Sequence, residues 1–184
     1  MANSNNENLE NTKCNGHVET HPFPPFVPSN AEILILGSFP GKEQTQSNNL
    51  SNQWFYGAPR NQFWKIIETV YDKKLNTQEE KQKLFSSLKI GITDIVLKAR
   101  RANGSNLDKN LKDVEWNTED IEKILRQHPN IKVLCTSKTY VEKHFKKLFP
   151  DFRKVSNLPS PSPRYARLTL EKKVAEYKNL LPKL

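Results

Sequence analysis

Residues 32–37, EILILG, form a short and continuous apolar run that ends in a glycine. A run without polar alternation is typical of a parallel β-strand that is buried on both faces. GITDIV at 91–96 and IKVLCTS at 131–137 have the same character, and FRKVSN at 152–157 is a weaker fourth example. The sequence therefore predicts a central sheet of four strands, mostly parallel.

Helical patterns separate these strands. The clearest start signal is Thr77, which has capping-box spacing to Glu80. Strands that alternate with helices predict a three-layer α/β domain, in which helices cover both faces of the sheet. The predicted helices cover residues 61–71, the segment after Thr77, and residues 117–127, 139–149 and about 165–180.

The first 20 residues differ in composition from the rest of the chain. They contain almost no apolar side chains, so we expect a flexible N-terminal arm at 1–20 and one folded domain at 21–184. The arm has no apolar core of a secretory signal, and no apolar run approaches the roughly 20 residues of a membrane span. We therefore expect a cytoplasmic, nucleoid-associated protein that is neither secreted nor membrane-bound.

Cysteine and histidine residues give little support for a metal or cofactor site. Cys14 and Cys135 are the only cysteines, too few for a disulfide framework or an iron–sulfur cluster. The four histidines lack the close pairing that is usual in a zinc site. The sequence predicts neither a metal ion nor a cofactor.

Positive charge is concentrated near the C-terminus. The net charge is +9, and residues 138–184 contain 12 Lys or Arg but only four acidic residues. Such a basic segment favours a polyanionic partner, most simply nucleic acid, although a solvated helix face would look the same.

Three polar loops follow predicted strands. In parallel α/β sheets, ligands bind beyond the carboxyl ends of the strands, so we expect these loops to meet around one pocket. The loops are GSFPGKEQ at 37–44, KARRANGSNLD at 98–108 and LPSPSPRYARL at 158–168.

The segment WFYGAPRNQFWKII, at 54–67, combines five aromatic rings with a polar turn. Aromatic rings can stack on a nucleic-acid base that has been turned out of a duplex, and the Asn61 amide can both donate and accept hydrogen bonds at a base edge. We expect Phe63 and Trp64 to anchor the following helix in the core. The sequence leaves open whether Trp54 and Phe55 line the pocket or the core.

The ordered blocks ILILGSFPG, FYGAPRNQFWKII and LPSPSPRYA resemble the uracil-DNA glycosylase superfamily, especially its hypoxanthine-DNA and mismatch-specific uracil-DNA glycosylase branches. The resemblance extends from about His21 to the C-terminus. It implies an enzyme that hydrolyses the N-glycosidic bond of a deaminated base in DNA, with hypoxanthine favoured and uracil or xanthine as further substrates.

The resemblance also implies which residues bind the base. Phe39 occupies the place where a carboxylate or amide often orients the attacking water, and Leu158 replaces the usual His or Asn of the last block. Gly41 stands where strict uracil enzymes carry a tyrosine, which favours a purine. The implied base-binding residues are Gly37, Ser38, Phe39, Pro40, Gly41 and Tyr56.

The resemblance implies Asn61 as a catalytic residue, and its carbonyl oxygen would hold a water molecule. Asp94, at the end of the second strand, is the nearest candidate for a catalytic carboxylate that faces the site, although a role as a helix or turn cap would explain it equally well. Asp108 is a weaker alternative to Asp94. No lysine lies where a Schiff-base nucleophile is expected, so we expect a monofunctional glycosylase without lyase activity. Arg164 or Tyr165 would fill the gap left by the flipped base. The expected DNA-binding residues are Arg60, Ser160, Ser162, Arg164 and Arg167.

Other functions fit the same sequence. One is a uracil-DNA glycosylase specific for G·U or G·T mismatches, and another is an inactive DNA-binding module of the same fold. A small-molecule nucleosidase would leave the basic C-terminal segment unexplained. We expect a monomer whose partner is DNA that contains a deaminated base.

Overall fold

The computed structural model describes residues 17–47 and 53–184, so most of the expected N-terminal arm lies outside the described residues. The strands are β1 (Glu19–Thr20), β2 (Ile33–Gly37), β3 (Ile90–Asp94), β4 (Val96–Arg101), β5 (Leu111–Trp116), β6 (Lys132–Cys135) and β7 (Val155–Asn157). The helices are α1 (Lys42–Thr45), α2 (Phe63–Tyr71), α3 (Gln78–Ser87), α4 (Thr118–Gln127), α5 (Lys143–Leu148) and α6 (Leu170–Leu180).

A parallel sheet of four strands forms the centre of the molecule, in the order β3-β2-β6-β7. Successive side chains of β2 point to opposite faces, as the strand geometry requires. Ile35 packs into one apolar cluster, and Leu34 and Leu36 pack into the other. Because helices cover both clusters, the run of apolar residues is buried on both sides, and the predicted fold class is confirmed.

A second sheet, which the sequence analysis did not predict, lies beside the first. It is antiparallel, with the order β1-β4-β5. Residues 98–101, expected to be part of a loop, instead belong to β4, because backbone pairing with two neighbouring strands outweighs their charged composition. Glu19 and Thr20, expected in the flexible arm, form β1 and pair with Ala99 and Lys98.

Helix boundaries depend on local capping. The predicted capping box is confirmed, since Thr77 Oγ1 accepts a hydrogen bond from the Glu80 backbone and the Glu80 carboxylate accepts one from Thr77 N. The last helix, expected from about residue 165, begins only at Leu170, because Thr169 caps it. Residues 138–142 form a π-helical turn that leads into α5.

The aromatic segment divides between core and cavity. Trp54 and Phe55 are buried in the core, together with Phe63 and Trp64, which resolves the alternative that the sequence left open. Trp64 Nε1 donates a hydrogen bond of 2.7 Å to the Phe55 carbonyl, which ties the loop to α2. Within 17–47 and 53–184, no helix has the length and apolar character needed to cross a membrane.

Candidate active site

A cavity of about 720 Å³ opens at the carboxyl edge of the parallel sheet. All four strands lead into it, with Ser38 after β2, Asp94 at the end of β3, Thr136 after β6, and residues 160–165 after β7. The segments 38–41 and 106–108 and the turn around Asn61 complete the wall. The three loops singled out in the sequence therefore do meet around one pocket.

Gly37, the last residue of β2, has no room for a side chain. A Cβ atom on this residue would stand 2.0 Å from Asp94 Oδ1 and 2.3 Å from the Tyr56 hydroxyl. Both distances are far below van der Waals contact. The absence of a side chain at residue 37 thus allows the carboxylate and the phenol to approach each other at the end of the strand.

Asp94 has a buried partner that the sequence analysis missed. His21 Nε2 lies 2.9 Å from Asp94 Oδ2, and the two side chains are only 4% and 7% exposed. His21 Nδ1 accepts a hydrogen bond of 3.1 Å from the backbone N–H of Phe23, so Nδ1 carries no proton. The proton that faces Asp94 is therefore on Nε2, and the imidazole donates a hydrogen bond to the carboxylate.

Tyr56 is held in a left-handed backbone conformation, with φ of 57°. The Thr136 hydroxyl donates to the Leu36 carbonyl, so the Tyr56 hydroxyl donates to Thr136 Oγ1 at 3.0 Å. Its ring stacks on Phe63, with 4.3 Å between centroids. Burial and the nearby charge of Asp94 raise the pKa of Tyr56 well above 10, which keeps the phenol neutral. Phe63 covers one face of the ring, and Tyr56 is among the residues that line the cavity.

The Asn61 side chain lines the cavity just before α2. Its carbonyl oxygen, expected to hold a water molecule, accepts a hydrogen bond of 2.9 Å from Phe63 N. In the described segments, no partner is found for the amide nitrogen, Nδ2. The group that Asn61 offers to a ligand is therefore chiefly a donor.

An ion pair beneath the glycine-proline loop was also missed by the sequence analysis. Arg101 Nε donates to Glu19 Oε2 at 2.8 Å, and the same guanidinium donates to the Pro40 carbonyl and lies against the Phe39 ring. Glu19 also accepts a hydrogen bond from the Thr45 hydroxyl. Burial raises the pKa of Glu19, but the hydrogen bonds from Thr45 and Arg101 outweigh it and leave the pKa lowered. The charged pair fixes the backbone of 39–45.

Asp108 fastens the middle loop to the same region. Its carboxylate accepts a hydrogen bond from Ser38, a residue of the glycine-proline loop. Burial raises the pKa of Asp108, and the charge of Asp94 adds to the rise, while the Ser38 hydrogen bond opposes it. Asp108 therefore lies near the site but has a structural partner of its own.

The triple-proline loop is held by α6. Lys173 Nζ donates to Gln62 Oε1 at 2.8 Å and to the Ser162 carbonyl at 3.0 Å, and the Tyr177 hydroxyl donates to the Pro159 carbonyl at 2.9 Å. Gln62 N donates to the Pro161 carbonyl at 3.0 Å. These bonds tie the loop to the turn that carries Asn61. Burial lowers the pKa of Lys173.

A comparison with protein-family models matches residues 24–184 to the uracil DNA glycosylase superfamily. The chain belongs to this superfamily. The match confirms the resemblance drawn from the three sequence blocks, and it covers every residue of the cavity wall.

Two curated relatives within the superfamily are archaeal. The chain is 35% identical over 114 residues to the hypoxanthine DNA glycosylase of Methanosarcina barkeri, and 33% identical over 115 residues to that of Methanosarcina acetivorans. Each match covers 61% of this chain, and the matches span 66% and 67% of the two relatives, about two thirds of their length.

A solved structure supports the superfamily fold. It is a solution NMR structure of a candidate uracil DNA glycosylase from Methanosarcina acetivorans, with a TM-score of 0.69 and 24% sequence identity. The comparison covers 89% of this chain and 96% of that protein. At this level of identity, the likeness shows the shared fold.

The positions that depart from the superfamily pattern have clear places in the structure. Leu158 packs in the core, and its backbone N–H donates to the Cys135 carbonyl. It is not among the residues that line the cavity. Phe39 lines the cavity as a ring between Arg101 and His21.

Most of the expected site residues of this superfamily member border the cavity. Gly37 and Arg167 are not among the residues of the cavity wall, and Arg167 is exposed. No group of three or more His, Cys, Asp or Glu side chains in the described segments is arranged to hold a metal ion. The expected residues that line the cavity are Ser38, Phe39, Pro40, Gly41, Tyr56, Arg60, Asn61, Asp94, Ser160, Ser162 and Arg164.

Proposed function

We propose that this protein is a monofunctional DNA glycosylase that removes a deaminated base, preferentially hypoxanthine, after the base has been flipped out of DNA. One observation carries the proposal: the cavity brings together the Asp94 carboxylate, the Asn61 amide and the Tyr56 ring at the open edge of the sheet. The archaeal relatives named hypoxanthine DNA glycosylase support the choice of base.

The cavity wall is suited to a two-ring base. A Cβ on Gly41 would have Glu43 Oε2 at 3.1 Å and Ala58 Cβ at 3.9 Å as its nearest neighbours, so this part of the wall is built without a bulky side chain. A flipped base stacks on an aromatic ring and is recognised at its edge by hydrogen bonds. Tyr56 provides the ring, and Asn61 Nδ2 provides a donor for the base.

The reaction is hydrolysis of the bond between deoxyribose C1′ and base nitrogen N9. The oxygen of water forms a bond to C1′ while the C1′–N9 bond breaks, the bonding electrons leave with the base, and one water proton ends on the base. Asp94 accepts a hydrogen bond from the water, and its charge stabilises the positive sugar. Asn61 donates a hydrogen bond to the departing base, where negative charge develops.

A lyase reaction would need an amine that can attack C1′. Among the described residues that form the cavity wall there is no lysine. The nearby amine of Lys173 is buried and donates to two oxygen atoms. We therefore propose that the product is an abasic site in an intact strand.

The surface around the cavity fits a phosphate backbone. Arg60 and Arg164 are exposed at the cavity wall, and Arg167 is exposed nearby in sequence. Exposed arginines contact phosphates without reading sequence. We propose that the protein acts on DNA as a monomer, in the cytoplasm, with Ser160 and Ser162 as further backbone contacts.

The test uses labelled duplexes with hypoxanthine, uracil or xanthine, or with a G·T pair, followed by alkaline cleavage of abasic sites. We expect hypoxanthine to be excised fastest, with no strand cleavage before alkali. Asn61→Ala and Asp94→Asn should each lower the rate about 100-fold or more, in the range reported for single electrostatic groups in active sites. The matched control is Asn76→Ala, since residue 76 is exposed and lies outside the cavity wall.

Each alternative predicts a different result. Faster excision of uracil or of the G·T pair would identify a mismatch-specific uracil-DNA glycosylase. An absence of excision from all duplexes, with DNA affinity unchanged by Asn61→Ala, would identify an inactive binding module.

A further inference from the structure

Glu43 brings a carboxylate to the cavity wall that the proposed reaction does not use. It is among the residues that line the cavity. Within 17–47 and 53–184, its carboxylate oxygens have neither a hydrogen bond nor an ion pair. A single exposed carboxylate is ordinary on a protein surface, so the position of Glu43 alone does not indicate a function.

A second polar group without a partner, the amide nitrogen of Asn106, borders the same cavity. Asn106 Oδ1 accepts a hydrogen bond of 2.9 Å from Lys42 N. Because a backbone N–H can only donate, this bond identifies the amide oxygen and leaves Nδ2 as a donor. In the part of the chain that the structure describes, no partner is found for Nδ2.

The two groups meet where Gly41 lacks a side chain. A Cβ atom on Gly41 would lie 3.1 Å from Glu43 Oε2 and 4.0 Å from Asn106 Nδ2. An ionised carboxylate only accepts hydrogen bonds, whereas an amide nitrogen only donates them. The cavity wall therefore offers an acceptor and a donor around one small space.

Neighbouring contacts hold both residues in place. The bond from Lys42 N to Asn106 Oδ1 joins α1 to the loop that carries Asn106. Gln44, which follows Glu43 in α1, is only 2% exposed, and its Nε2 donates a hydrogen bond of 2.9 Å to the Trp54 carbonyl. The backbone segments that carry the acceptor and the donor are thus fixed to each other and to the core.

Deamination exchanges a donor and an acceptor at one edge of a purine. Adenine has an amino donor at C6 and an acceptor at N1, whereas hypoxanthine has the O6 acceptor and an N1–H donor. We propose that the Glu43 carboxylate accepts a hydrogen bond from N1–H and that Asn106 Nδ2 donates one to O6. This inference rests on the proposed function, since it requires that a base enters the cavity. Asn61 Nδ2 then remains available for a ring nitrogen of the departing base.

The pair selects the deaminated base by rejecting its parent. Adenine in the same position would place the N1 lone pair against the Glu43 carboxylate and its amino group against the Asn106 amide nitrogen. Both polar groups of the protein would lose their partners, and such mismatches are strongly unfavourable in a binding site. Xanthine and uracil share the N–H and carbonyl arrangement of hypoxanthine, so the pair accepts them as well. Guanine also shares it, so the pair accounts for selection against adenine only.

The test compares the excision of hypoxanthine with that of unsubstituted purine, which has neither O6 nor a hydrogen on N1. Glu43→Ala should lower the single-turnover rate on hypoxanthine by about tenfold or more, as for the loss of one hydrogen bond to a charged group, and change the rate on purine by less than about twofold. Glu43→Gln keeps an acceptor oxygen and should retain most of the hypoxanthine rate. Asn106→Asp keeps the oxygen that accepts from Lys42 N but loses the donor, so it should also lower the ratio of the two rates.

The matched control is Glu176→Ala, which removes the same charge, because residue 176 is exposed and does not line the cavity. Equal losses on the two bases, or no loss on hypoxanthine, would overturn the role of Glu43. If the original protein excises no base, the proposed function fails, and base recognition is then judged by affinity for single strands that contain hypoxanthine or purine. The original protein should prefer the strand with hypoxanthine and Glu43→Ala should not, whereas equal affinities in the original protein would overturn the inference.

Discussion

The imidazole of His21 donates a hydrogen bond of 2.9 Å to the carboxylate of Asp94, across 73 positions of sequence. Both side chains are buried, and Phe23 N fixes the tautomer of the ring. His21 contacts the carboxylate and is not among the residues that line the cavity, so in the proposed reaction it would act through Asp94. A residue that follows the short strand β1 therefore orients the carboxylate at the end of β3.

Replacement of His21 should slow excision but leave DNA binding nearly unchanged. We expect His21→Phe to lower the single-turnover excision rate by about 10–100-fold, the range for loss of a group that orients a reactive ligand. The dissociation constant for DNA should remain within about twofold, because His21 does not reach the protein surface at the cavity. His21→Gln, which keeps a donor, should recover part of the rate, and His128→Gln is the matched control. Equal losses of rate and affinity would contradict a positioning role.

Gly37 should not tolerate even one added methyl group. The new Cβ would meet Asp94 Oδ1 at 2.0 Å and the Tyr56 hydroxyl at 2.3 Å. We expect Gly37→Ala to destabilise the fold by about 1–3 kcal/mol, the usual cost of overpacking, and to abolish most excision activity. Urea denaturation and the excision assay measure the two effects. Gly41→Ala is the control for the stability measurement alone, since its closest neighbour is the flexible end of Glu43 at 3.1 Å.

A large side chain at residue 41 should change the choice of base. Gly41→Tyr places a ring in the cavity wall, and we expect it to lower excision of hypoxanthine at least about tenfold more than excision of uracil, because the smaller base needs less room. Competition between the two lesions in one reaction measures this ratio. A uniform loss on both bases would argue that residue 41 does not border the base.

The buried carboxylate of Glu19 should make the fold less stable in acid than at neutral pH. Because its pKa is lowered below the ordinary value of 4.5, the ionised form stabilises the fold above that pH, and this stabilisation is lost as the pH falls through the lowered pKa. We therefore expect the original protein to be more stable than Glu19→Gln at pH 7, with the difference shrinking below pH 4.5. Urea denaturation at several pH values measures the difference in the free energy of unfolding between the two proteins. If this difference grew in acid, the pairing of Glu19 with Arg101 would be contradicted.

Removal of the Lys173 ammonium should loosen the triple-proline loop. Lys173→Met leaves Gln62 Oε1 and the Ser162 carbonyl without their donor, and we expect a loss of about 1–3 kcal/mol in the free energy of unfolding. DNA affinity should fall as well, since the loop carries Arg164. The neighbouring Lys172→Met is the control, because residue 172 is exposed. Weaker DNA binding in both variants alike would indicate an effect of charge alone.

The parallel sheet and its pocket were predictable because their signals are local. The run at 33–37 is apolar at every position, and the loops that follow parallel strands must lie on one edge. The partners of Asp94 and Arg101 were not predictable. His21 and Glu19 lie in a polar, proline-rich region, and the charges of 98–101 read as a solvated loop, while the pairing of β4 with two strands buries Arg101. These contacts join positions 73 and 82 apart, which no local pattern reveals.

The place of β1 has a practical consequence for anyone who shortens this chain. A fragment cut to the matched region, 24–184, would keep Asn61 and Asp94 but lose both the imidazole of His21 and the carboxylate of Glu19. The guanidinium of Arg101 would then be left buried without its counter-ion, and the carboxylate at residue 94 without its donor. Such a fragment could fail in an assay for reasons unrelated to its chemistry, so a shortened chain should keep Glu19 and His21.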